Sequence, residues 1–464
     1  MSEPLAARVI DFPAKGSPRN AISRGVPPAA RPYLEAFARP SGEPLWLLRG
    51  REQNLARFGE MGFPSRKSES WRYINLDSLL KSPILPRDEA VSRPSAALVS
   101  RLSEAGIAGP GLRFVLLDGV FAPELSSLRE LPAGVTLIST KVAIKRSPAR
   151  FRAALAPQPE PFGGAQDRPF SALNAAFFRD GFVLDLAPGV ALERPIEILH
   201  LFAAEAPASL HTRSFVTLGE KSRATLFESF LGEGRYWRND VLRVALGEGA
   251  ALSRVVLVEE GRDAVHMGDG TVTLGEGAHL FSSFFLFGGR TVREEATVKS
   301  EGVGTRSILN AAALLSGREE ANIVTAIEHD APEGETRELV KMVAAGRAHG
   351  AFQGRITVSP GAQKVDAHQL SQNLILSPRA AIDTKPELEI FADDVKCSHG
   401  AAIGDIDEGA LFYLRSRGIP LPQARRLMIE AFLREVLGDA EKGPLGAHLL
   451  SRLARRLEAL EIEA

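Results

Sequence analysis

The feature that most constrains the fold of this chain is a short repeat of fixed period in its central part. The segments Val216-Thr-Leu-Gly-Glu, Val244-Ala-Leu-Gly-Glu and Val272-Thr-Leu-Gly-Glu begin at a constant spacing of 28 residues. Weaker copies begin at Leu186, Val298 and Val358. Each copy joins an apolar, strand-like run to a turn that contains Gly, the residue that adopts positive φ most readily. Units of fixed length can stack on one another and bury a continuous core.

Two folds agree with such a repeat. The constant period favours a β-solenoid of parallel strands with one coil per repeat, and an antiparallel sandwich of similar hairpins is the alternative. We predict a mainly β chain whose parallel β-helix core lies between helical domains. The predicted segments are a poorly ordered lead-in (1–30), an N-terminal helical domain (31–110), a mixed α/β connection (111–180), the β-helix (181–404) and a C-terminal helical domain (405–464).

The N-terminal part changes character along its length. Apolar residues at helical spacing cover Arg31–Leu80, and the prolines of Lys81–Ser95 predict a linker. Trp71 and Tyr73 stand in a polar stretch, either as an anchor for a partner or as a pin that holds their loop on the domain core. Shorter elements are predicted before the repeats: strands within 112–140, and helices over Ser147–Ala156 and Arg168–Arg179.

The C-terminal tail is predicted to be helical. One helix covers Glu408–Arg417, and the next opens at Pro420 and runs to Leu437. A last helix, Pro444–Leu460, has an apolar stripe along one side. This stripe packs either on the body of the chain or on a partner.

The single cysteine lies where the repeats give way to the helical tail. Cys397 and His399 are two residues apart, so a strand at this place would project both side chains from one face. A thiolate and an imidazole are ligands for zinc, copper or an iron–sulfur cluster, but two ligands cannot complete a four-ligand site. Metal binding would therefore need ligands from a second chain. The alternative is that Cys397 is a small buried apolar residue and His399 an ordinary hydrogen-bonded one.

Composition gives information on the class of partner and on the compartment. The chain has 464 residues and a net charge of −1, a balance that indicates neither a nucleic acid nor an anionic membrane as partner. A single cysteine excludes an internal disulfide and fits the reducing cytosol. The N-terminus shows no apolar signal region, and no apolar run reaches the roughly 18 residues of a membrane-spanning helix. We therefore expect a cytoplasmic protein.

Common catalytic motifs are absent from the sequence. It contains no G-x-x-x-x-G-K-[ST] phosphate loop, no H-E-x-x-H zinc motif and no G-x-S-x-G nucleophile elbow. The pair Gly268 and Gly270 lacks the setting of a dinucleotide site and is interpreted as a turn. The polar run Asp366–Asn373, placed between strands, supplies either inward-facing hydrogen-bonded residues or residues that support the Cys397–His399 pair. We therefore predict a non-enzymatic scaffold without an ATP site.

Two stretches of the sequence form long signatures. The first is Asp383-Thr-Lys-Pro-Glu-Leu-Glu-Ile-Phe-Ala-Asp-Asp-Val-Lys-Cys-Ser-His399-Gly, followed by Leu411-Phe-Tyr-Leu-Arg-Ser-Arg-Gly418. The second is Lys67-Ser-Glu-Ser-Trp-Arg-Tyr73. The first resembles the C-terminal signature of the SufB/SufD family, which assembles iron–sulfur clusters, and the second resembles the N-terminal signature of its SufD branch. The likeness covers roughly residues 50–440, and a single cysteine is also more similar to the SufD branch than to SufB.

The resemblance implies a right-handed parallel β-helix in a complex with a SufB paralogue and two copies of the ABC-type ATPase SufC. The two β-helices pair through their ends, where the nascent cluster forms. On this pattern His399 is an iron or cluster ligand and Cys397 has a supporting role, so that iron or an iron–sulfur cluster is held transiently and shared with SufB. Contacts to SufC are implied for residues of the C-terminal helices: Leu411, Phe412, Tyr413, Arg415, Arg417, Met428 and Phe432.

Two other interpretations stay open at this point. A β-helix is also the fold of polysaccharide-acting enzymes, although that class is typically secreted and uses clustered carboxylates. Cleavage of an acidic polysaccharide by the pure chain would support it. The chain could instead be a purely structural partner with an inert Cys397 and His399, and unchanged cluster assembly after His399→Ala would support that interpretation.

Overall fold

The computed structural model describes residues 26–87, 99–100, 106–107, 112–128, 131–152, 155, 168–204 and 206–460. Within these ranges the chain is mainly β, with helices before and after a long stack of strands. The helices are α1 (Arg31–Ala36), α2 (Leu45–Met61), α3 (Asp77–Lys81), α4 (Thr140–Arg146), α5 (Pro148–Arg152), α6 (Pro169–Phe177), α7 (Glu408–Ser416), α8 (Leu421–Arg434) and α9 (Pro444–Glu458). Short 3₁₀ segments cover Glu69–Trp71, Pro123–Leu125 and Glu435–Glu441. The strands are β1 (Leu112–Leu117), β2 (Val120–Phe121), β3 (Val135–Ser139), β4 (Phe182–Leu186), β5 (Ile196–Phe202), β6 (Ser209–Leu218), β7 (Arg223–Gly232), β8 (Trp237–Leu246), β9 (Ala251–Glu259), β10 (Val265–Leu274), β11 (His279–Leu286), β12 (Thr291–Ser300), β13 (Arg306–Leu315), β14 (Glu320–His329), β15 (Glu335–Ala344), β16 (His349–Val358), β17 (Asp366–Ile375), β18 (Ala381–Ile390) and β19 (Lys396–Gly404).

The strands from β4 to β19 wind into a parallel β-helix of about eight coils. Each coil contributes one strand to each of two sheets, and every strand pairs with the strand one coil before or after it. Ser209 pairs with Trp237, and Trp237 pairs with Val265, so one coil takes the 28 residues of one repeat. The predicted β-solenoid is confirmed, and the antiparallel sandwich is wrong. Among the described strands, antiparallel pairs are confined to β1 with β2 and β3 with β4, at the N-terminal end.

The turns between coils explain why the repeat contains glycines. A Cβ at Gly275 would lie 3.0 Å from the carbonyl oxygen of Leu246 in the preceding coil, so this position has little room for a side chain. Two residues later, Gly277 has a φ of +59°, and its N–H donates to the carbonyl of Val303 in the next coil at 2.8 Å. The first glycine of the motif was expected to supply positive φ. It instead permits the close stacking of coils, and the second glycine supplies the left-handed conformation.

The core of the β-helix is formed by the inward faces of both sheets. Alternate residues along the strands are apolar and buried, in one cluster that extends from Phe114 to Ala392. A layer of buried charges interrupts it in the early coils, where Arg238 Nε lies 2.6 Å from Glu260. Burial lowers the pKa of His266 in this layer, but hydrogen bonds with Glu260 and Glu294 outweigh burial and raise it to about 9. The charges of this layer pair with one another, as the ion pairs of Glu260 with Arg238 and His266 show.

Gly268 lies inside β10, beside this charged layer. A Cβ at this position would lie 2.3 Å from the carboxylate of Glu294. The prediction that Gly268 and Gly270 form a turn is therefore wrong, because both belong to the strand Val265–Leu274. The absence of a side chain at Gly268 leaves space for a buried carboxylate.

The helical pattern predicted over 31–80 is divided into three helices. Pro44 precedes α2, and Gly62, with a φ of +67°, ends it. The loop that follows carries Trp71 onto the outer face of one sheet, where its ring stacks on Phe170 at a centroid distance of 4.9 Å. Trp71 is 4% exposed, so it holds its loop on the body of the chain, which is one of its two predicted roles. Residues 1–25 of the predicted lead-in (1–30) and residues 88–95 of the predicted linker (Lys81–Ser95) lie outside the described residues.

The C-terminal helices cover the outer face of the other sheet. The apolar stripe of α9 consists of Leu449, Leu453 and Leu457, which are buried against this face. On the polar side of α9, Arg452 Nη2 lies 2.7 Å from Glu259. The stripe therefore packs on the body of the chain, the first of its two predicted roles. None of the helices in the described ranges is long and apolar enough to cross a membrane.

Candidate functional site at the open end of the β-helix

The last coil leaves each sheet with a free edge. β18 and β19 are terminal strands of their sheets and pair only with β16 and β17. The backbone N–H and C=O groups along their other edges therefore have no strand partner in the described chain. Free strand edges are templates for pairing with another polypeptide. We call the inward faces and free edges of β18 and β19 the open end.

Cys397 and His399 project from the inward face of β19. Their register partners on β17 are Ala367 and Gln369, both of which are buried inside the β-helix. Because no further strand covers β19, His399 is exposed, whereas Cys397 is half-buried and packs against the core. The strand therefore brings the predicted pair together on one face, at the mouth of the last coil.

The environment of Cys397 disfavours its thiolate. Burial raises the pKa of the Cys397 thiol; a hydrogen bond with the backbone of Ala367 opposes this, and the nearby Asp366 carboxylate adds to it. A thiol must lose its proton to bind metal or act as a nucleophile. Cys397 in the isolated chain is thus poorly prepared for either role and needs a stabilising group from outside.

A polar layer lies directly beneath the open end. Gln369 Nε2 donates a hydrogen bond to the carboxylate of Glu338 on β15. Glu338 is 3% exposed and Gln369 is 2% exposed, and burial raises the pKa of Glu338 to about 7. Farther along β17, Asn373 Nδ2 donates to the carbonyl of Ala402 on β19 at 3.2 Å. The inward side of the last coils is therefore polar at these positions.

The polar run Asp366–Asn373 belongs to β17 and does not lie between strands, so that prediction is wrong. Its inward residues are Ala367, Gln369, Ser371 and Asn373. The predicted inward, hydrogen-bonded role applies to Gln369 and Asn373. Glu338 was not predicted from the sequence. It places a carboxylate at an inward position of β15, where the alternating pattern otherwise predicts an apolar residue, and this exception is the signal that could have revealed it.

Apolar side chains surround the open end. Ile390 at the end of β18, Phe391 in the following loop and Ile403 on β19 are 39%, 63% and 46% exposed. Neighbouring exposed apolar groups commonly mark a contact surface. The open end thus combines free backbone edges, an apolar rim and one exposed imidazole.

The described chain supplies only part of a metal site. No group of three or more His, Cys, Asp or Glu side chains that could hold a metal ion occurs among the described residues. Cys397 and His399 remain two potential ligands on one strand face, fewer than a closed zinc or iron–sulfur site requires. A complete site at the open end would need ligands from beyond the described residues.

The seven residues expected to contact an ATPase fall into two groups. Four are exposed, on α7 and in the turn after it: Phe412, Tyr413, Arg415 and Arg417. Arg417 lies over the Tyr413 ring at 5.1 Å. The other three contact the body of the chain: Leu411 is buried, and Met428 and Phe432 are half-buried on α8. Only the first group presents whole side chains to a partner.

A contact that no sequence pattern revealed connects the N-terminal loop to the outward face of the last two coils. The carboxylate of Glu69 forms an ion pair with Lys385 on the outward face of β18. The carbonyl of Glu69 also accepts a hydrogen bond from Gln353 Nε2 on β16 at 3.0 Å. The Lys67–Tyr73 signature therefore lies against the last two coils and supports the edge strand.

Comparisons with known proteins agree with these features. A family model described as "SUF system FeS cluster assembly, SufBD core domain" matches residues 200–432. An iron–sulfur cluster assembly SufBD family protein of Synechocystis sp. is 30% identical over 431 residues, which cover 90% of this chain and 92% of the relative. The iron–sulfur cluster assembly protein SufD of Escherichia coli is 28% identical over 88% of this chain and 92% of its own length. SufD of Bacillus subtilis is 25% identical over 92% of this chain and 97% of its own length.

Proposed function

The chain belongs to the SufBD family of the SUF iron–sulfur cluster assembly system, and on this premise we propose that it is a non-catalytic scaffold subunit of a SufBCD-type complex. It pairs with a SufB paralogue through the open end, and the nascent cluster or its iron is bound at this interface. The observation that carries the proposal is the position of His399 and Cys397 on a free edge strand that supplies only part of a metal site. The proposed site of this work is the cytoplasm, a reducing compartment that a chain with a single cysteine fits.

Iron and the cluster are the cargo of this site. His399 is the principal ligand from this chain, because its imidazole is exposed at the mouth of the coil. Cys397 supports it and becomes a thiolate when the partner or the cargo offsets the burial that raises its pKa. The SufB paralogue provides the remaining ligands.

The SufC-type ATPase binds to α7 in this proposal, with two copies in the complex. Phe412 and Tyr413 are 74% and 57% exposed, and large exposed aromatic side chains are frequent anchors of protein interfaces. Arg415 and Arg417 flank them with positive charge. The ATPase hydrolyses the nucleotide, and this chain transmits the resulting movement to the open end. This chain itself catalyses no reaction in the proposal.

Native mass spectrometry of the tagged chain, co-expressed with the SufB-like protein and the ABC-type ATPase of its host, tests the assembly. We expect one copy of this chain, one paralogue and two ATPases in a stable species. A chain that stays alone, or pairs only with itself, would contradict the shared site.

The role of His399 as an iron ligand is then tested by comparing the iron content of complexes with substitutions at His399 and at His368. His399→Ala should remove iron from the purified complex without dissociating it, and Cys397→Ser should lower iron content less. His368→Ala is the matched control, because His368 lies on the neighbouring strand β17 but faces outward and contacts Ser398 and Asp366. Iron content that is unchanged in His399→Ala would favour the purely structural interpretation. The family model and the relatives described above belong to iron–sulfur cluster assembly, which favours this proposal over the polysaccharide-acting alternative.

A further inference from the structure

Three polar residues form a column on the inward face of the last coils. Glu338 on β15 is in register with Gln369 on β17, and Gln369 is in register with His399 on β19. Neighbouring strands of a sheet lie roughly 4.8 Å apart, so side chains in one column stack directly on one another. Below Glu338 the same register position is occupied by the apolar Leu309. The column therefore begins at a buried carboxylate and ends at the exposed imidazole.

The amide of Gln369 is fixed in orientation. Its Nε2 donates to Glu338, a bond that directs the nitrogen toward β15 and away from β19. Gly354 on the facing strand provides the space, because a Cβ there would lie 2.1 Å from Gln369 Nε2. The side chain is thus held between two neighbouring strands, and a rotation that exchanges its amide nitrogen and oxygen is disfavoured.

The other end of this amide has no partner. Gln369 Oε1 is buried, and no hydrogen-bond donor reaches it within the described chain. A buried carbonyl oxygen without a donor is unfavourable and calls for one nearby. The next side chain of the column on the side away from Glu338 is that of His399, which carries a ring N–H and is exposed at the mouth of the coil.

We propose that Gln369 is a positioning residue that accepts a hydrogen bond from one ring nitrogen of His399 and thereby fixes the tautomer of its imidazole. Glu338 holds the amide so that its oxygen faces His399. The other ring nitrogen of His399 then keeps its lone pair free at the open end. Histidine ligands of metals generally donate their second N–H to an oxygen acceptor, which sets the tautomer and the direction of the ring. This inference deepens the proposed function and rests on it for the role of His399 as a ligand.

The tautomer can be measured without metal or partner. In a long-range ¹H–¹⁵N correlation spectrum of the full chain labelled with ¹⁵N-histidine, His399 is identified by the signals lost in His399→Ala. At a pH where the imidazole is neutral, we expect one protonated and one unprotonated ring nitrogen in the wild-type chain. Gln369→Met keeps the length of the side chain but removes the acceptor, so the two nitrogen signals should converge toward the average of rapidly exchanging tautomers. Gln369→Glu restores an oxygen acceptor and should keep them apart.

Asn373→Met is the matched control. Asn373 lies on the same strand, faces inward and is 3% exposed, but its register partner is Ile403 and not His399. This variant should leave the His399 signals unchanged. Averaged tautomers of His399 in the wild-type chain, or separated signals that persist in Gln369→Met, would overturn the inference. Either result would leave the ligand role of His399 to be decided by iron content, so the two ideas fail separately.

Discussion

The guanidinium of Arg293 lies 4.0 Å from the centre of the Trp71 ring, and its Nη1 donates a hydrogen bond of 2.9 Å to the carbonyl of Ser70. Arg293 is on β12, in the middle of the β-helix, and both partners belong to the N-terminal signature loop. One buried cation therefore fastens this loop to the stack of coils. The same loop reaches the edge strand β18 through the ion pair of Glu69 with Lys385.

Replacement of Arg293 by Met should loosen this attachment. A desolvated cation–π contact contributes about 2 kcal/mol and a hydrogen bond to a charged group about 1.5–3 kcal/mol, so we expect a loss of several kcal/mol. The loss is increased because Glu295, whose carboxylate lies 2.8 Å from Arg293, would be left without this partner. Limited proteolysis should cut Arg293→Met within residues 63–76 much faster than the wild-type chain. Arg318→Met, at an exposed position in a turn, should be cut at the wild-type rate.

The period of the β-helix could be predicted because it is a local property of the sequence. Each coil repeats the same strand-and-turn chemistry, so Val216, Val244 and Val272 carry the information without knowledge of distant contacts. The Cys397–His399 pair could be placed on one strand face for the same reason, since alternation along a strand is also local. Both features follow from spacing alone.

The parts that could not be predicted depend on which coils become neighbours. Glu69 and Lys385 are 316 residues apart in sequence, and no spacing rule connects them. Glu338 becomes part of the polar layer only because β15 lies beneath β17 in the stack. The Gly268–Gly270 pair was misassigned to a turn because a buried carboxylate on the neighbouring strand, and not the local chain direction, requires the glycine.

The pH dependence of stability should report on Glu338. Burial raises the pKa of its carboxyl to about 7. The folded chain therefore retains a proton that the unfolded chain releases near its ordinary pKa, and the free energy of unfolding falls as pH rises from about 4.5 to about 7. Glu338→Gln removes this contribution. The difference between the free energy of unfolding of Glu338→Gln and that of the wild type, measured with denaturant, should be near zero at pH 4.5. It should rise to about 3 kcal/mol in favour of the variant at pH 8.

Glu387 provides a control of opposite sign. Burial alone would raise the pKa of Glu387, but hydrogen bonds from Lys385 and Arg355 hold it below its usual value. Its contribution is therefore present above the ordinary glutamate pKa and is lost as pH falls, so Glu387→Gln should lower stability at pH 8 and have less effect at low pH. A Glu338→Gln variant whose advantage does not change with pH would contradict the assignment of the buried proton.

The exposed aromatic pair on α7 should matter for the ATPase and not for folding. Phe412→Ala combined with Tyr413→Ala removes side chains that make few contacts within the chain, so unfolding should be unchanged within about 0.5 kcal/mol. Loss of interface anchors typically costs 2 kcal/mol or more, which corresponds to a decrease in affinity of about thirtyfold. Binding of the ABC-type ATPase, measured by calorimetry, tests this. Val303→Ala, at an exposed apolar residue in a distant turn, should bind normally, and wild-type affinity in the double variant would exclude α7 as the contact.

A charge introduced at the open end should be tolerated in the isolated chain but not in the complex with a SufB paralogue. Ile403 is 46% exposed on the inward face of β19, and Leu370 is 39% exposed on the outward face of β17 one strand below. Both sites are accessible in the isolated chain, so Ile403→Asp and Leu370→Asp should each leave its folding nearly unchanged. If a SufB paralogue covers the open end, Ile403→Asp buries an unpaired carboxylate in the interface and should weaken pairing by tenfold or more, because such burial costs more than about 1.4 kcal/mol. Leu370→Asp faces away from that interface and should pair normally. Pairing affinities measured by analytical ultracentrifugation decide between the two faces, since equal losses, or a loss in Leu370→Asp alone, would place the partner on the side of the β-helix and not on its end.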